Sequence, residues 1–551
     1  MISHKRSKQV LWITIICGFF GFAFSASAAE MYVDAAAADG GNGTDVAPYN
    51  TLNRALLDIV PGEANTIHAT GVFHEYVKVG PEYGGTSEET RTTLQAWQGR
   101  GRPVNDARGS DIPGDIIDLT GAYITLRGFE VIGAKQAANI WSGEGAHHVI
   151  VEDNISHGAY GDNSKGICFR NSRDAIIRNN TTYNNEYVGI YIPGQGSVNV
   201  EVYNNTSYEN GRFGIHGKEW ADNLHIHHNT VYSNGYMGDL QSISGIGYAS
   251  SSPRMASGIV IEDNTIRDEQ IGVYIERGND LRISNNVIDT GTSSGVEMRY
   301  SEYVTVEEND IQGFAFAGVS SEWGENIRIE HNILRGNGMS VRSLSSSYVY
   351  LTRNELLESS QAGVSVNDGT NVALENNIIA GGPAAAVMMT NVELSQILHN
   401  TIVNNKTGLF FTSPLKPQST ATVFNNIFHD LTNIYVFGES NTDGVRLGHN
   451  AYSSYTKYAV VQGVPRTRNG FCLKDGKDCT SLDIRNPRFV NESTGDFHLR
   501  WDSPLIGQGD TTKATLVDID GEDRLGDGRV DIGADEVRRF LPTPGISDFQ
   551  R

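Results

Sequence analysis

In the segment GIHGKEW (residues 214–220), His216 and Lys218 stand two positions apart. On a β-strand both side chains would project from one face, roughly 7 Å from each other. An imidazole and an ammonium at that separation suit proton removal beside an anionic group, one taking the proton while the other neutralises the charge that builds up. Tyr191 and Arg170 hold the matching places in preceding repeats and extend the set. The stretch continues into HIHH (225–228), which raises a metal site as a rival. His225 and His227 alternate around Ile226 on a second strand and face a different side from His216. Zinc ligands on different sides of a rod cannot converge on bonds of about 2 Å. His225, His227 and His228 are therefore expected to be solvated surface or corner packing, with no metal bound.

These placements rest on a repeat of about 23 residues. Each unit gives a Gly, a short alternating strand, a polar corner, a second alternating strand, an Asn and a third short apolar piece. The asparagines are 154, 180, 205, 229, 264, 286, 309, 332, 354, 377, 400 and 426. Strands of three to five residues cannot bury an apolar side alone, so coil must stack on coil. The expectation is an all-β, right-handed parallel β-helix of about twelve coils, a rod of about 55 Å. The recurring Asn is expected in a tight left-handed bend, bonding to the coils above and below. On that reading the sequons at Asn154, Asn180 and Asn205 are part of the ladder.

Stacking in register turns the sequence into a map of one face. Two residues after each Gly the outward column reads Cys168, Tyr191, His216, Tyr274, Glu297, Ser320 and Ser365. Four after, it reads Arg170, Pro193, Lys218, Glu276, Arg299, Glu322 and Asn367. The frame breaks between Asn229 and Asn264, where residues 235–257 read as a projecting loop that brings Tyr236, Tyr248 and Arg254 to His216, Lys218 and Trp220. A turn at 157–166 adds His157, Tyr160, Asp162 and Lys165. The catalytic candidates are His216, Lys218, Tyr191 and Arg170. Lys165, Trp220, Arg254, Tyr274, Glu276, Glu297, Arg299, Glu322 and Trp323 are the binding candidates.

The 551-residue chain opens with Lys5, Arg6 and Lys8, an apolar run from Val10 to Phe24 and a small-residue stretch, the form of a secretory leader cut after Ala28. Its removal takes the formal charge from −22 to −25. Such acidity argues against nucleic acid, while a local basic cleft can still draw an anionic polysaccharide. With no second long apolar segment, a soluble exported monomer is expected, periplasmic or extracellular. Cys472 and Cys479 can pair, and Cys168 reads as a buried thiol. The expected division is 1–28 leader, 29–135 N-terminal cap and first coils, 136–435 regular helix, and 436–551 C-terminal coils and capping tail. A threonine-capped amphipathic helix from about Leu52 covers the first coil. The segment DIDGEDRLGDGRVDIGADE leaves calcium possible, although Gly521 follows Asp518 too closely for an EF-hand; no other cofactor is implied.

The opening MYVDAAAADGGNGTDVAPYNTLNRAL, the segments GVFHEYVKV and GAYITLRGFEVIGA, the Asn-laddered coils and the tail SPLIGQGD with VDIGADE resemble secreted bacterial β-helix proteins of the pectate-lyase-like superfamily. The resemblance covers nearly all of the chain after the leader. It implies the fold and a carbohydrate role, and leaves open the reaction among polysaccharide lyases, glycoside hydrolases, uronate epimerases and non-catalytic surface proteins. Three readings follow. The first is β-elimination on a uronic-acid polysaccharide, with Arg170 and Lys218 on the carboxylate, His216, Tyr191 or Lys218 as base, and Lys165, Arg254 or Arg299 in support. Such lyases often use Lys or Arg in this way, but their acidic calcium cluster is not evident here; nor is the acidic-and-histidine motif of alginate epimerases. The second is hydrolysis by Glu276 and Glu322, about 9.6 Å apart, with Glu297 between and Trp220 and Trp323 as sugar platforms. The third is a non-catalytic rod that binds a glycan.

Overall fold

The computed structural model describes residues 29–236, 243–412, 420–438, 442 and 444–538; the expected leader lies outside them. One coil runs Val188–Pro193, Val198–Tyr203 and Thr206–Tyr208, and its neighbour Phe213–Lys218, Asp222–His227 and Thr230–Tyr232. Each strand pairs in parallel with its counterpart one coil on. The rod therefore has a long-strand face, a middle face and a short-strand face. Inward positions repeat every second residue, so Ile190, Ile215, Ile246, Val273, Val296 and Val319 stack as one fully buried column.

Among the described residues the middle face carries seventeen strands, from Ala29–Asp34 to Val445–Gly448, hence about sixteen turns where the asparagines predict twelve. The difference lies mostly at the N-terminal end. Strands Asn65–Thr70, Thr92–Ala96 and Ile124–Arg127 belong to coils that turn this corner without a ladder asparagine.

From Asn154 the ladder is continuous. Asn309 shows the pattern: its backbone N–H and Nδ2 donate to Asn332 Oδ1, Nδ2 also reaches the carbonyls of Ile283 and Glu307, and its Oδ1 accepts from Asn286. The left-handed residue is the one before each Asn: Asp153, Asn179, Asn204, His228, Asp263 and Asn285 have φ between 53° and 57°. This corrects the expected bend position. The preceding residue takes the turn, which leaves the Asn side chain pointing along the stack.

A second, shorter ladder runs through Asn185, Asn210 and Asn234 and ends on Glu269 Oε1. Glu269 is buried, and burial raises its carboxyl to about 8. The proton is thus favoured in the folded state, and this contribution to stability fades as pH rises from the unfolded value near 4.5 through 8. Glu269→Gln is expected to melt with the parent at pH 5 and above it at pH 9; an equal difference at both pH values would contradict this.

The expected loop at 235–257 is corrected as well. Ser244–Ala249 is a strand of the long-strand face, paired with Phe213–Lys218 on one side and Ile271–Glu276 on the other. Its outward residue is Gly247, which has no side chain to mark the period, so sequence alternation is faint there. The extra residues fall on either side of this strand, among them the described segments 233–236 and 250–255; residues 237–242 lie outside the described set.

At the N-terminal end, the helix Leu52–Leu56 buries Leu52, Ala55 and Leu56, and its Thr51 cap accepts from the Arg54 N–H. The C-terminal segment divides in two. A helix at Arg468–Asp475, tied by the Cys472–Cys479 disulfide, brings Phe471 against Phe437 and Tyr458 at the end of the core. The tail folds back along the short-strand face instead of covering the end: Phe497, Leu505 and Ile532 join an apolar cluster with Leu357, Ile378, Val403 and Ile427. Arg524, fully buried, donates to Asn376 Oδ1, to the carbonyls of Gly533 and Ala534, and to Glu536. Asp518, the first acid of the expected calcium loop, accepts backbone N–H groups from Asp520, Glu522 and Glu536. The cation at the centre of this acidic tail is a guanidinium.

Candidate functional site

The register places Trp141, Cys168, Tyr191, His216, Gly247, Tyr274, Glu297, Ser320 and Arg342 in one outward column of the long-strand face. The adjoining column reads Arg170, Pro193, Lys218, Ala249, Glu276, Arg299 and Glu322. Gly247 and Ala249, supplied by the unforeseen strand, divide the predicted residues into two groups of different character.

The first group lines a cleft of about 490 Å³ bounded by Asp115, Trp141, Lys165, Cys168, Arg170, Tyr191, Lys218 and Glu219. A second hollow of about 580 Å³ continues it past Arg170 and Glu219 to Glu144 and Trp220. Lys165 opens the strand Lys165–Phe169, and its ammonium lies 5.8 Å from the centre of the Tyr191 ring. Burial lowers its pKa below the ordinary 10.5, with Cys168 and Asp115 opposing the shift. Burial also pushes the Cys168 thiol up to about 12 and raises the Tyr191 phenol, so both keep their protons at neutral pH.

Charge pairing separates this cleft from the second group of predicted residues. Among the described residues no carboxylate lies within ion-pair distance of Lys165 or Arg170, and Lys218 reaches Glu219 only at 4.0 Å. Arg254, expected near Trp220, does lie over that indole at 5.7 Å, while its guanidinium bonds to Asp222 at 2.6 Å. Glu219 and Trp220 at the cleft rim are both left-handed, with φ of 52° and 66°. Two adjacent non-glycine residues in that region store backbone strain of order 1–3 kcal/mol each. The backbone N–H of Trp220 donates to the hydroxyl of Tyr248, whose ring is buried in the core. Tyr248 therefore supports the rim from beneath and is absent from the cleft. Tyr236 is exposed on the lengthened connection.

His216 also departs from expectation. Its ring packs on Phe213 at 4.0 Å and lies over Gly247, where a Cβ would come within 2.9 Å of Nδ1. It is 3% exposed and does not line the cleft, and burial, aided by Lys218 and Arg212, lowers its pKa to about 3. A neutral imidazole in that setting is a weak base without access to a bound polymer.

The second group is an ion-pair ladder. Glu276 meets Arg277 at 2.8 Å and Tyr274 at 3.1 Å, Glu297 meets Arg299 at 2.7 Å, and Glu322 meets Arg342 at 2.5 Å and Arg299 at 3.5 Å. Trp323 stacks on Tyr300 at 4.9 Å. The register confirms that Glu276 and Glu322 are two coils apart, with Arg299 seated between them. Sequence reasoning missed Trp141 and Arg342, which the column would have supplied had the frame been carried one coil back and through MSVRSL. Asp115 comes from a connection with no periodic signal.

The fold and this cleft define a right-handed parallel β-helix with a cationic and aromatic hollow on its long-strand face. The family model described as "Right handed beta helix region" matches residues 104–253 and 242–347, and that of "Periplasmic copper-binding protein (NosD)" matches 314–463. No curated protein matches the chain in sequence. Among solved structures, the Dettilon tailspike protein is similar at 14% identity and a TM-score of 0.42, over 60% of this chain and 62% of that one. The mannuronan C-5 epimerase AlgE6 A-module of Azotobacter vinelandii shares 15% identity over 65% of this chain and 89% of its own, with a TM-score of 0.34. Pectate lyase Pel9A shares 14% over 94% and 98%, with a TM-score of 0.25. At these identities the likeness is one of fold. No helix among the described residues is long and apolar enough to cross a membrane.

Proposed function

We propose that the protein is an exported, monomeric enzyme that cleaves a uronic-acid polysaccharide by β-elimination in the cleft at Lys165, Arg170 and Lys218. One observation carries this reading: on a chain of net charge −22, Lys165 and Arg170 line a hollow with no carboxylate among the described residues within ion-pair distance, and Lys218 meets Glu219 only at 4.0 Å. Such a site draws anionic sugar and holds its carboxylate where charge accumulates as the C5 proton leaves. The Cys472–Cys479 disulfide suits an oxidising compartment.

Arg170 and Lys218 hold the carboxylate, and Lys165 takes the C5 proton. Its lowered pKa makes the free amine available nearer neutrality, and this favours Lys165 as the base over His216, Tyr191 or Lys218. The C5–H electrons form the C4–C5 double bond as the C4–O bond breaks, and the Tyr191 phenol protonates the leaving oxygen. Trp141 and Trp220 supply apolar surface for neighbouring sugars. The paired carboxylates of the second group match an ion-pair ladder better than a free acid and base, so hydrolysis is the weaker reading.

The test incubates the purified protein with a panel of uronic-acid and neutral polysaccharides while following ultraviolet absorbance of unsaturated ends together with new reducing ends. Both signals should rise together on a polyuronate. Reducing ends without absorbance would replace elimination by hydrolysis, and silence in both would indicate a binding protein. Because the free amine is the working form, kcat/KM should climb with pH, its ascending limb lying below the ordinary lysine value of 10.5. A limb at or above that value would remove Lys165 as the base.

A further inference from the structure

The middle face carries a second group of ionisable side chains on the coils of Tyr191 and Lys218. His225 and His227 lie on Asp222–His227, two residues apart and on the same side of the strand. Glu201, on the preceding coil, is the direct cross-strand partner of His225. One donor atom from each of Glu201, His225 and His227 lies within 4.8 Å of the other two. The sequence reading separated these histidines from His216 correctly, but it did not weigh Glu201, which the register brings between them.

Each of the two histidines has a partner on a second ring nitrogen. His227 turns Nε2 toward Glu201 at 3.1 Å and Nδ1 toward Nδ1 of His228 at 2.8 Å. His228 in turn points Nε2 at Asp263, 3.9 Å away. His227 Nε2–H donates to Glu201 Oε1 and its Nδ1 accepts from His228 Nδ1–H; the opposite tautomer, with Nδ1–H of His227 on His228, presents the Nε2 lone pair to a metal ion. His225 holds Glu262 through Nε2 at 2.8 Å, which leaves Nδ1 as its lone-pair nitrogen. Tyr203 stacks on His227 at 5.0 Å and fixes the ring plane. Each ligand histidine thus has a partner on its other nitrogen, the arrangement that orients metal-bound imidazoles.

We propose that Glu201, His225 and His227 form a binding site for a divalent transition-metal ion of the Zn²⁺ class, with solvent completing the coordination. Two imidazoles and one carboxylate suit such an ion rather than calcium or magnesium, which prefer all-oxygen sets. Donors bound at about 2.0–2.1 Å around a tetrahedral ion stand roughly 3.3 Å apart, against donor separations here of up to 4.8 Å. The site lies outside residues 314–463 and on a different face from the cleft.

The test titrates the full chain, stripped with chelator, with Zn²⁺ by calorimetry and with Co²⁺ by visible absorption. The competing cluster at His498, Asp520 and Asp535 serves as the internal control. One site is expected, with no competition from excess Ca²⁺. His227→Ala and Glu201→Gln should each weaken it by about 100-fold, and His228→Ala, which removes an orienting partner, by about tenfold. Thermal melts without metal should be unchanged in Glu201→Gln and His228→Ala, whose side chains are exposed, and His498→Ala should bind as the parent does. Absence of Zn²⁺ binding in the parent chain would overturn the proposal. So would binding that survives His227→Ala and Glu201→Gln but disappears in His498→Ala.

Discussion

Lys165→Met is expected to lower kcat/KM on a polyuronate by roughly 10²–10⁴-fold while leaving the unfolding midpoint at neutral pH unchanged or higher. The two effects have opposite signs for one reason. Lys165 is buried, and its folded pKa lies below the unfolded one, so the charged form is disfavoured in the folded protein at every pH below the folded value. Methionine of similar length removes that penalty, and above the ordinary lysine pKa of 10.5 the gain should vanish. A lysine kept for structure would give the reverse, lower stability with activity falling only in proportion. Steady-state kinetics beside thermal melts at neutral and alkaline pH decide between the two outcomes. Activity within threefold of the parent would remove Lys165 from the chemistry.

Asn309→Ala should destabilise the rod by about 3–5 kcal/mol, far more than an average substitution. The residue is 2% exposed, and its side chain serves the coils on both sides: Oδ1 accepts the N–H and Nδ2 of Asn286, while Nδ2 donates to Asn332 and to the carbonyls of Ile283 and Glu307. Truncation strands several buried groups at once. The loss should appear as an earlier denaturant midpoint in equilibrium unfolding. A change under 1 kcal/mol would mean that the ladder is incidental to stability.

The asparagine frame made the coils from residue 154 onward legible, because an Asn whose side chain bonds along the stack must recur once per turn. The coils before it turn the same corner without that residue, which is why the count fell short. The coil at 244–249 was hidden for a related reason. In SGIGYA the inward Ile246 and Tyr248 keep the period, but Gly247 leaves the outward position in the His216 column blank. That strand then moved the site. With Gly247 between His216 and Tyr274, His216 sinks against Phe213, and the functional weight shifts toward Lys165, Arg170 and Tyr191. Pairing was the other property that composition could not reveal. Arg170 and Arg299 look alike in the columns, yet one faces open cleft and the other sits between Glu297 and Glu322. The tail's position against the short-strand face had a readable trace: Ile378–Ala380 is apolar on both sides, as a strand covered from outside must be.

The most direct measurement compares a polyuronate with its carboxyl-reduced, neutral counterpart, recording ultraviolet absorbance of the unsaturated product for the parent protein and for Arg170→Ala. Absorbance that rises only on the acidic polymer, and falls by about 10²-fold or more in the variant, is the result expected of a cationic cleft that neutralises a uronate carboxylate during proton removal. Equal cleavage of the two polymers, or an Arg170→Ala variant as active as the parent, would contradict it.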